Sequence, residues 1–214
     1  MKLKKSDLLL YAVTDRSWLG EESLKQQVEK ALKGGVTMIQ LREKDLSPED
    51  FRREALEIQA LCREYGVPFL INDNVELAKE IDADGVHVGQ SDLEAGRVRE
   101  ILGPQKIVGV TAKTVEQARL AQARGADYLG SGAIFGTSTK KDARPMTMEL
   151  LQEITTSVEI PVVAIGGITG SNIARLAGSG VAGAAVVSGI FAAADIEEAC
   201  RDLKKILKDK VVRE

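Results

Sequence analysis

Eight short aliphatic runs alternate with segments of helical spacing, and this alternation constrains the fold more than any other feature. The runs occupy residues 8–14, 38–41, 69–71, 85–88, 107–110, 128–130, 162–165 and 184–187. Helical spacing is clearest in the apolar stripe of Leu24, Val28, Ala31 and Leu32. About eight such units in 214 residues, with no nucleotide-binding glycine fingerprint after the first run, favour one closed (β/α)8 TIM barrel over a doubly wound sheet.

The composition limits the classes of partner that the protein can bind. Hydrophobic residues make up 44% of the chain, enough for one packed core, so we expect a single domain over residues 1–214. Aromatic residues make up only 4%, which disfavours a base-stacking surface for nucleic acids. The formal charge of -3 provides no global positive field, so any phosphate group must be bound by a local arrangement of residues.

The amino-terminal region does not resemble a targeting signal. Its apolar run at residues 8–13 is too short for a signal peptide, and no stretch approaches the roughly 18 apolar residues of a membrane span. We therefore expect a cytoplasmic protein without a membrane partner. Cys62 and Cys200 have no metal or redox spacing and fall on apolar helix stripes, where burial is expected. The sequence leaves open whether the protein forms a homo-oligomer.

Two cations follow the second run, where a barrel of this class builds its active site. Strand alternation places Gln40, Arg42 and Lys44 on one side, and Leu41 and Glu43 on the other. The arginine fork matches paired phosphate oxygens, and the lysine adds a point charge beside it. The alternative interpretation is a solvated run of charges.

Two aspartates follow the third and fourth runs and predict a site for a hard cation. Asp73 and Asp92 would reach the same rim of the barrel, where one or two carboxylates plus substrate phosphates can hold Mg²⁺. Asp92 could also be the N-cap of the helix predicted at residues 93–102, a role that could coexist with metal ligation. His87 is the only histidine, and without a serine or cysteine partner for it no hydrolase triad can be assembled.

A second anion site is predicted around the last three strands. The loop after the sixth run is rich in hydroxyl groups and carries Lys140, although a flexible surface loop would have the same composition. Glycine-rich ends at residues 165–168 and 187–190 suit the phosphate site that barrels often place after strands seven and eight, unless the glycines only serve tight turns. Two anion sites fit a two-substrate reaction better than hydrolysis.

The motifs together resemble the thiamine-phosphate synthase family over nearly the whole chain. They are YAVTDR at 11–16, QLREK at 40–44, ND at 72–73, GVHVGQSD at 85–92, TSTKKD at 137–142 and IGGI at 165–168. The family joins a hydroxymethylpyrimidine diphosphate to a thiazole phosphate with loss of pyrophosphate, and it requires magnesium. The resemblance therefore implies a Mg²⁺-dependent transferase that acts on small phosphorylated substrates.

The resemblance also implies a role for each matching residue. The metal ligands would be Asp73 and Asp92, and the residues that stabilise the leaving group would be Arg42, Lys44 and Lys140. The pyrimidine diphosphate would contact Gln40, Arg42, Lys44, Asn72, Thr111 and Lys140. The thiazole phosphate would contact Thr137, Ser138, Thr139, Gly167, Val187 and Ser188.

Some positions depart from the family pattern and bear on competing functions. Thr111 and Lys113 stand where serine and histidine are usual, and Ala133 and Gly136 stand where prolines are usual. The nearest alternative is a thiazole tautomerase, whose acid/base histidine would fall at Ala133, a residue that cannot transfer protons. A noncatalytic sensor of thiamine precursors is the alternative from another class.

Overall fold

Each predicted aliphatic run forms a parallel β-strand, and the strands pair in chain order around a closed barrel in the computed structural model. The structure describes residues 2–90, 92–136 and 145–212. The strands are β1 (Leu10–Val13), β2 (Met38–Leu41), β3 (Phe69–Asn72), β4 (Gly85–Val88), β5 (Ile107–Thr111), β6 (Tyr128–Ser131), β7 (Val162–Ile165) and β8 (Gly183–Val186). The predicted (β/α)8 barrel is confirmed.

Helices connect most of the strands and cover the outside of the barrel. They are α1 (Leu24–Lys33), α2 (Pro48–Tyr65), α3 (Val75–Glu80), α4 (Ala95–Leu102), α5 (Val115–Ala123), α6 (Met148–Ser157), α7 (Ser188–Phe191) and α8 (Ile196–Ile206). A 3-10 turn at Ile173–Leu176 replaces a full helix after β7. In the described part of the chain, no helix has the length and apolar character to cross a membrane.

The ends of α2 show how local sequence sets the helix boundaries. Ser47 caps the first turn by accepting a hydrogen bond from the Asp50 backbone N–H, and Pro48 occupies the first helical position. At the other end, Gly66 takes a left-handed conformation with φ +66°, which glycine adopts without steric strain. The chain then turns directly into β3.

Side chains fill the barrel in two apolar layers. One layer lies between the strands and the helices, and it contains Cys62 and Cys200, which are buried as predicted. The other layer fills the interior of the barrel: Leu8, Tyr11, Val13, Met38, Leu70, Ile107, Tyr128, Val163, Ala182 and Ala185. Because the interior is packed, a small molecule can enter only at an end of the barrel.

The starts of two strands, β1 and β8, differ from the prediction for a tertiary reason, and β3, β5 and β6 each end one residue later than predicted. The run that begins at Leu8 enters β1 only at Leu10, because Lys5–Leu8 forms a 3-10 turn below the barrel. β8 begins earlier than predicted, at Gly183, where a Cβ atom would lie 2.0 Å from the backbone oxygen of Leu8. The turn and the glycine thus pack directly against each other.

Candidate active site at the carboxyl ends of the strands

A cavity of about 140 Å³ opens at the carboxyl ends of the strands. It is lined by residues from both sets predicted from the sequence: Gln40, Arg42, Asn72, Thr111, Gly167, Val187 and Ser188. The fold therefore brings together positions that are up to about 150 residues apart in the sequence, and the two predicted anion sites share one cavity. Thr137, Ser138, Thr139 and Lys140 lie outside the described residues.

Larger cavities occur elsewhere on the molecule but lack this combination of groups. One of about 570 Å³ lies at the amino-terminal end of the barrel, beside Lys106 and Pro161. Another, of about 670 Å³, lies beside Trp18 and Phe191. Enzymes with this fold use the carboxyl ends of the strands, so the position and side chains of the 140 Å³ cavity identify it as the candidate site despite its smaller volume.

Arg42 lines this cavity and is held by the residues that follow β1. Its backbone N–H donates to Thr14 Oγ1 over 2.9 Å, and its guanidinium Nη1 lies 3.6 Å from Asp15 Oδ2. Asp15 is only 8% exposed, and its Oδ1 accepts a hydrogen bond of 2.9 Å from the Ser17 backbone N–H. These contacts orient the guanidinium before any ligand arrives.

Glu43 does not line the cavity, as strand alternation predicts. Together with Glu54 it binds the side chain of Arg16. Arg16 Nε donates to Glu43 Oε1 over 2.8 Å, and Arg16 Nη2 donates to Glu54 Oε1 of α2 over 2.5 Å. The Glu43 side chain is 3% exposed. Burial, only partly opposed by Arg16 and reinforced by Glu54, raises the pKa of Glu43 to about 7. Arg16 thus links β2 to α2 behind Arg42.

Lys44, Asn72 and Asp73 form a polar cluster at the rim of the cavity. Lys44 Nζ donates to Asp73 Oδ2 over 3.0 Å, and Asn72 Nδ2 donates to the same oxygen over 2.6 Å. Asp73 adopts φ +62°, a left-handed conformation that aspartate tolerates better than most residues. Residues predicted to bind diphosphate and metal are therefore in direct contact.

Asp92 completes this cluster from the loop after β4. The alternative that it caps a helix at residues 93–102 is wrong, because α4 begins at Ala95 with Glu94 as its N-cap. Asp92 Oδ2 instead accepts a 2.7 Å hydrogen bond from the Gly89 backbone N–H, and the carboxyl group contacts that of Asp73. The two predicted metal ligands are thus neighbours.

The contact between the two carboxyl groups changes the pKa of each. Burial, followed by the neighbouring Asp73 carboxylate, raises the pKa of Asp92. Burial opposes ionisation of Asp73 too, but hydrogen bonds from Lys44 and Asp92 hold the pKa of Asp73 below its usual value. Within the residues that the structure describes, no cluster of three or more acidic, histidine or cysteine side chains is arranged for a metal ion.

The side of the cavity formed by β7 and β8 is built from backbone and small residues. Gly167 adopts φ +64°, and a Cβ atom there would lie 2.0 Å from the backbone oxygen of Gly136. Its own carbonyl accepts a 2.8 Å hydrogen bond from Asn172 Nδ2. Ser188 begins α7, so its backbone N–H belongs to the first turn of a helix. Glycine is therefore required at 167 by its conformation and by the close approach of the loop after β6.

Three polar residues inside the barrel belong to the site or its support, although the sequence analysis does not predict them as site residues. Tyr11 and His87 line the cavity, and Tyr128 contacts both of them: Tyr11 Oη and Tyr128 Oη are 2.8 Å apart, and His87 Nδ1 is 2.9 Å from Tyr128 Oη. The sequence pattern that could have indicated these large side chains is glycine inside a strand. A Cβ atom on Gly109 would lie 2.2 Å from the Tyr128 ring, and one on Gly130 would lie 3.1 Å from His87.

Two positions that depart from the family pattern also line the cavity. Lys113 adds a third described cation there or at its rim, beside Arg42 and Lys44, and its backbone N–H donates to Gln117 Oε1 over 2.7 Å. Ala133 presents only a methyl group to the cavity. The environment is therefore cationic at β2 and β5, and it carries no ionisable side chain at 133.

Taken together, the barrel and this cavity define a class: a (β/α)8-barrel enzyme whose candidate site combines cationic side chains, an aspartate pair and a glycine-rich loop. The family model for thiamine monophosphate synthase matches residues 10–190. The chain therefore belongs to the thiamine monophosphate synthase family, and it is an enzyme of the transferase class.

Individual relatives agree with this family over nearly their full length. The chain is 47% identical to a thiamine-phosphate synthase of Clostridium acetobutylicum over 96% of this chain and 98% of the relative. It is 46% identical to one of Clostridium tetani, covering 95% and 97% of the two chains. Among solved structures, a thiamine phosphate pyrophosphorylase of Pyrococcus furiosus matches with a TM-score of 0.88 and 38% identity, covering 95% and 96%.

Proposed function

We propose that the protein condenses 4-amino-2-methyl-5-(diphosphooxymethyl)pyrimidine with 4-methyl-5-(2-phosphoethyl)thiazole, or its carboxylated form, to give thiamine phosphate and pyrophosphate. The observation that carries the proposal is the single cavity lined by both predicted ligand sets. A shared cavity places two reactants side by side, which is what a condensation requires. Family membership supports the same reaction.

The cationic side of the cavity is proposed to bind the diphosphate. Arg42, whose guanidinium is pre-oriented by Asp15, would take two phosphate oxygens, and Lys44 would add a second positive charge. Lys140 is proposed as a third cation from the loop after β6. As the bond to the diphosphate breaks, negative charge grows on the leaving group, and these fixed cations stabilise it.

The aspartate pair is proposed to hold Mg²⁺, and the geometry of the pair fits this ion. Two carboxylates in contact are mutually repulsive, as the raised pKa of Asp92, due to burial and then to Asp73, shows. A divalent cation relieves that repulsion, and Mg²⁺ characteristically takes one or two carboxylates and completes its octahedron with phosphate oxygens and water. When bound, the ion would neutralise charge on the departing diphosphate.

The remaining lining residues are proposed to position the two rings. Gln40, Asn72 and Thr111 would contact the pyrimidine from β2, β3 and β5. Gly167, Val187 and Ser188 would hold the thiazole phosphate together with Thr137, Ser138 and Thr139. Backbone amides at a glycine-rich loop and at the first turn of α7 suit an anion that needs no counter-charge.

The proposed reaction needs no nucleophile from the protein. The amino group of the pyrimidine can donate electrons to the methylene carbon as the diphosphate leaves, so a dissociative path is open. The thiazole nitrogen then attacks the methylene carbon. The enzyme contributes position, exclusion of water and stabilisation of the leaving group.

Two features disfavour the alternative functions. The position where a thiazole tautomerase would carry its acid/base histidine is Ala133, which has no proton to transfer. His87 cannot take over that position, because it lies at the floor on β4 and pairs with Tyr128 and Thr111. A sensor of thiamine precursors would need only ligand contacts, so catalytic turnover would exclude it.

A cytoplasmic location stays a prediction.

The experiment that tests the proposal mixes purified protein with both substrates, with and without Mg²⁺, and measures thiamine phosphate and pyrophosphate. We expect both products in equal amounts, and only with the metal. Arg42→Ala should lose at least about a hundredfold in kcat, the effect expected of removing a charged group that stabilises a leaving group, while its circular dichroism stays unchanged. A folded wild-type protein that binds thiazole phosphate but forms neither product would refute the proposal.

A further inference from the structure

A continuous hydrogen-bond network crosses the interior of the barrel below the cavity. It runs through five residues on five strands: Gln40, Tyr11, Tyr128, His87 and Thr111. Gln40 Nε2 donates to Tyr11 Oη, the two tyrosine oxygens are 2.8 Å apart, and His87 Nε2 is 3.0 Å from Thr111 Oγ1. We call these five residues the interior network.

The two ends of the interior network are both residues of the candidate site. Gln40 on β2 and Thr111 on β5 line the cavity, and they are proposed to contact the same pyrimidine ring. Tyr11 and Tyr128 lie between them, at 1% and 0% exposure. The network thus connects two ligand-binding side chains through buried groups that have no solvent to exchange hydrogen bonds with.

The donors and acceptors assign one direction to the interior network. We assign the direction from the orientation of the Gln40 amide: because Nε2 faces Tyr11, Tyr11 Oη accepts from Gln40 and donates its own hydrogen to Tyr128 Oη. In the same assignment, Tyr128 donates to His87 Nδ1. A neutral imidazole that accepts at Nδ1 carries its hydrogen on Nε2, and it donates that hydrogen to Thr111 Oγ1.

The protonation of the two tyrosines supports this direction. Burial raises the pKa of both phenols well above the usual value, so each retains one hydrogen to donate. The opposite arrangement, in which Tyr128 donates to Tyr11, would leave the Tyr11 hydrogen without an acceptor among the described residues. A buried donor without an acceptor is strongly disfavoured.

We propose that Tyr11, Tyr128 and His87 are positioning residues that fix the polarity of Gln40 and Thr111 toward the ligand, an inference that rests on the proposed function. With its nitrogen used by Tyr11, Gln40 presents its carbonyl oxygen as an acceptor. With its oxygen used by His87, Thr111 presents its hydroxyl hydrogen as a donor. The pair selects a ring edge with an amino donor beside a ring-nitrogen acceptor, as in an aminopyrimidine.

The first test is spectroscopic and does not depend on turnover. His87 is the only histidine, so ¹⁵N-histidine labelling gives one pair of ring-nitrogen signals. At neutral pH we expect the signal of a protonated Nε2 and an unprotonated, hydrogen-bonded Nδ1. In Tyr128→Phe the Nδ1 signal should move toward that of an imidazole nitrogen without a donor. Hydrogen on Nδ1, or on both nitrogens, would overturn the assigned direction.

The second test measures steady-state kinetics with each substrate varied in turn. Removing the Tyr128 hydroxyl group leaves Gln40 and Thr111 in place but unaligned, so KM for the pyrimidine diphosphate should rise about tenfold, the equivalent of one hydrogen bond. KM for the thiazole phosphate should stay within about twofold. Tyr11→Phe interrupts the same network and should give the same pattern, which provides a second variant if Tyr128→Phe does not fold.

Ile107→Val is the matched control, because Ile107 is buried in the same interior layer at the opposite end of the barrel. It should lower stability without changing either KM. An active wild-type enzyme whose tyrosine variants behave like this control would overturn the positioning role and leave the proposed function intact. An inactive wild-type protein would refute the proposed function, and the ¹⁵N spectrum would then decide the direction of the network alone.

Discussion

Replacing Glu43 with glutamine should make the stability of the protein less sensitive to pH. In the folded protein, burial raises the pKa of Glu43 from its ordinary value of 4.5 to about 7, and the nearby Glu54 adds to the effect while Arg16 opposes it. The side chain is 3% exposed, so solvent screens the group little. Glutamine has a similar shape and can still accept a hydrogen bond from Arg16 Nε, but it does not titrate.

The size of the effect follows from linkage. Between pH 4.5 and about pH 7 the folded state holds more protons on Glu43 than the unfolded state does, so stability falls as pH rises through this range. The two pKa values differ by about 2.5, and at about 1.4 kcal/mol per unit this difference costs the wild-type protein about 3 kcal/mol at pH 8 relative to pH 4. Glu43→Gln removes that cost.

Guanidinium denaturation of both proteins at pH 5 and pH 8 measures this difference. The change in unfolding free energy caused by Glu43→Gln should be more favourable at pH 8 than at pH 5 by about 2 to 3 kcal/mol, since part of the titration lies below pH 5. Glu100→Gln is the control, because that side chain is 66% exposed. Equal effects of Glu43→Gln at the two pH values would show that Glu43 has no raised pKa.

The remaining predictions concern Asp73 at the rim of the cavity, Gly167 in the glycine-rich loop after β7, and the two thiols. Asp73→Asn, which keeps a residue that tolerates φ +62°, should raise the Mg²⁺ concentration needed for half-maximal turnover at least about tenfold; an unchanged metal titration would remove Asp73 from the metal site. Gly167→Ala should destabilise more than Gly66→Ala in thermal unfolding, because both have left-handed φ but only residue 167 meets an atom, at 2.0 Å. Cys62 and Cys200, whose pKa values burial raises to about 12, should react with a thiol reagent only after unfolding, and fast native labelling would contradict their burial.

Much of the barrel could be predicted because strands buried on both faces are continuous aliphatic runs. The runs at 38–41, 85–88 and 162–165 match β2, β4 and β7 without a shift in either boundary. The shifted starts of β1 and β8 depend on a contact that no local pattern contains, the approach of Gly183 to the backbone of Leu8. The segment after β7 is another case, since Ile173 and Leu176 are buried but the segment forms only a 3-10 turn.

Several residues that line the cavity could also be predicted, because Gln40, Arg42 and Asn72 lie at or just beyond the carboxyl end of a strand. Their supports could not, since they lie far apart in sequence: Arg42 and Thr14 are separated by 28 positions, and Tyr11 and Tyr128 by 117. No spacing rule relates such pairs. Gly109 and Gly130 were the available clues, because a glycine inside a strand indicates that something large lies against it.

Charged side chains are arranged differently at the two ends of the barrel. At the amino-terminal end, Arg99 donates to Asp127 Oδ2 over 2.6 Å and also to the carbonyl oxygens that precede β5 and β6, so these two charges neutralise each other. At the carboxyl end, Glu43 titrates near pH 7 and Asp73 contacts Asp92, arrangements that disfavour the charged state of one group in each pair. Natural sequences tolerate such local conflicts where ligands bind. The electrostatic strain therefore identifies the same end of the barrel as the cavity does.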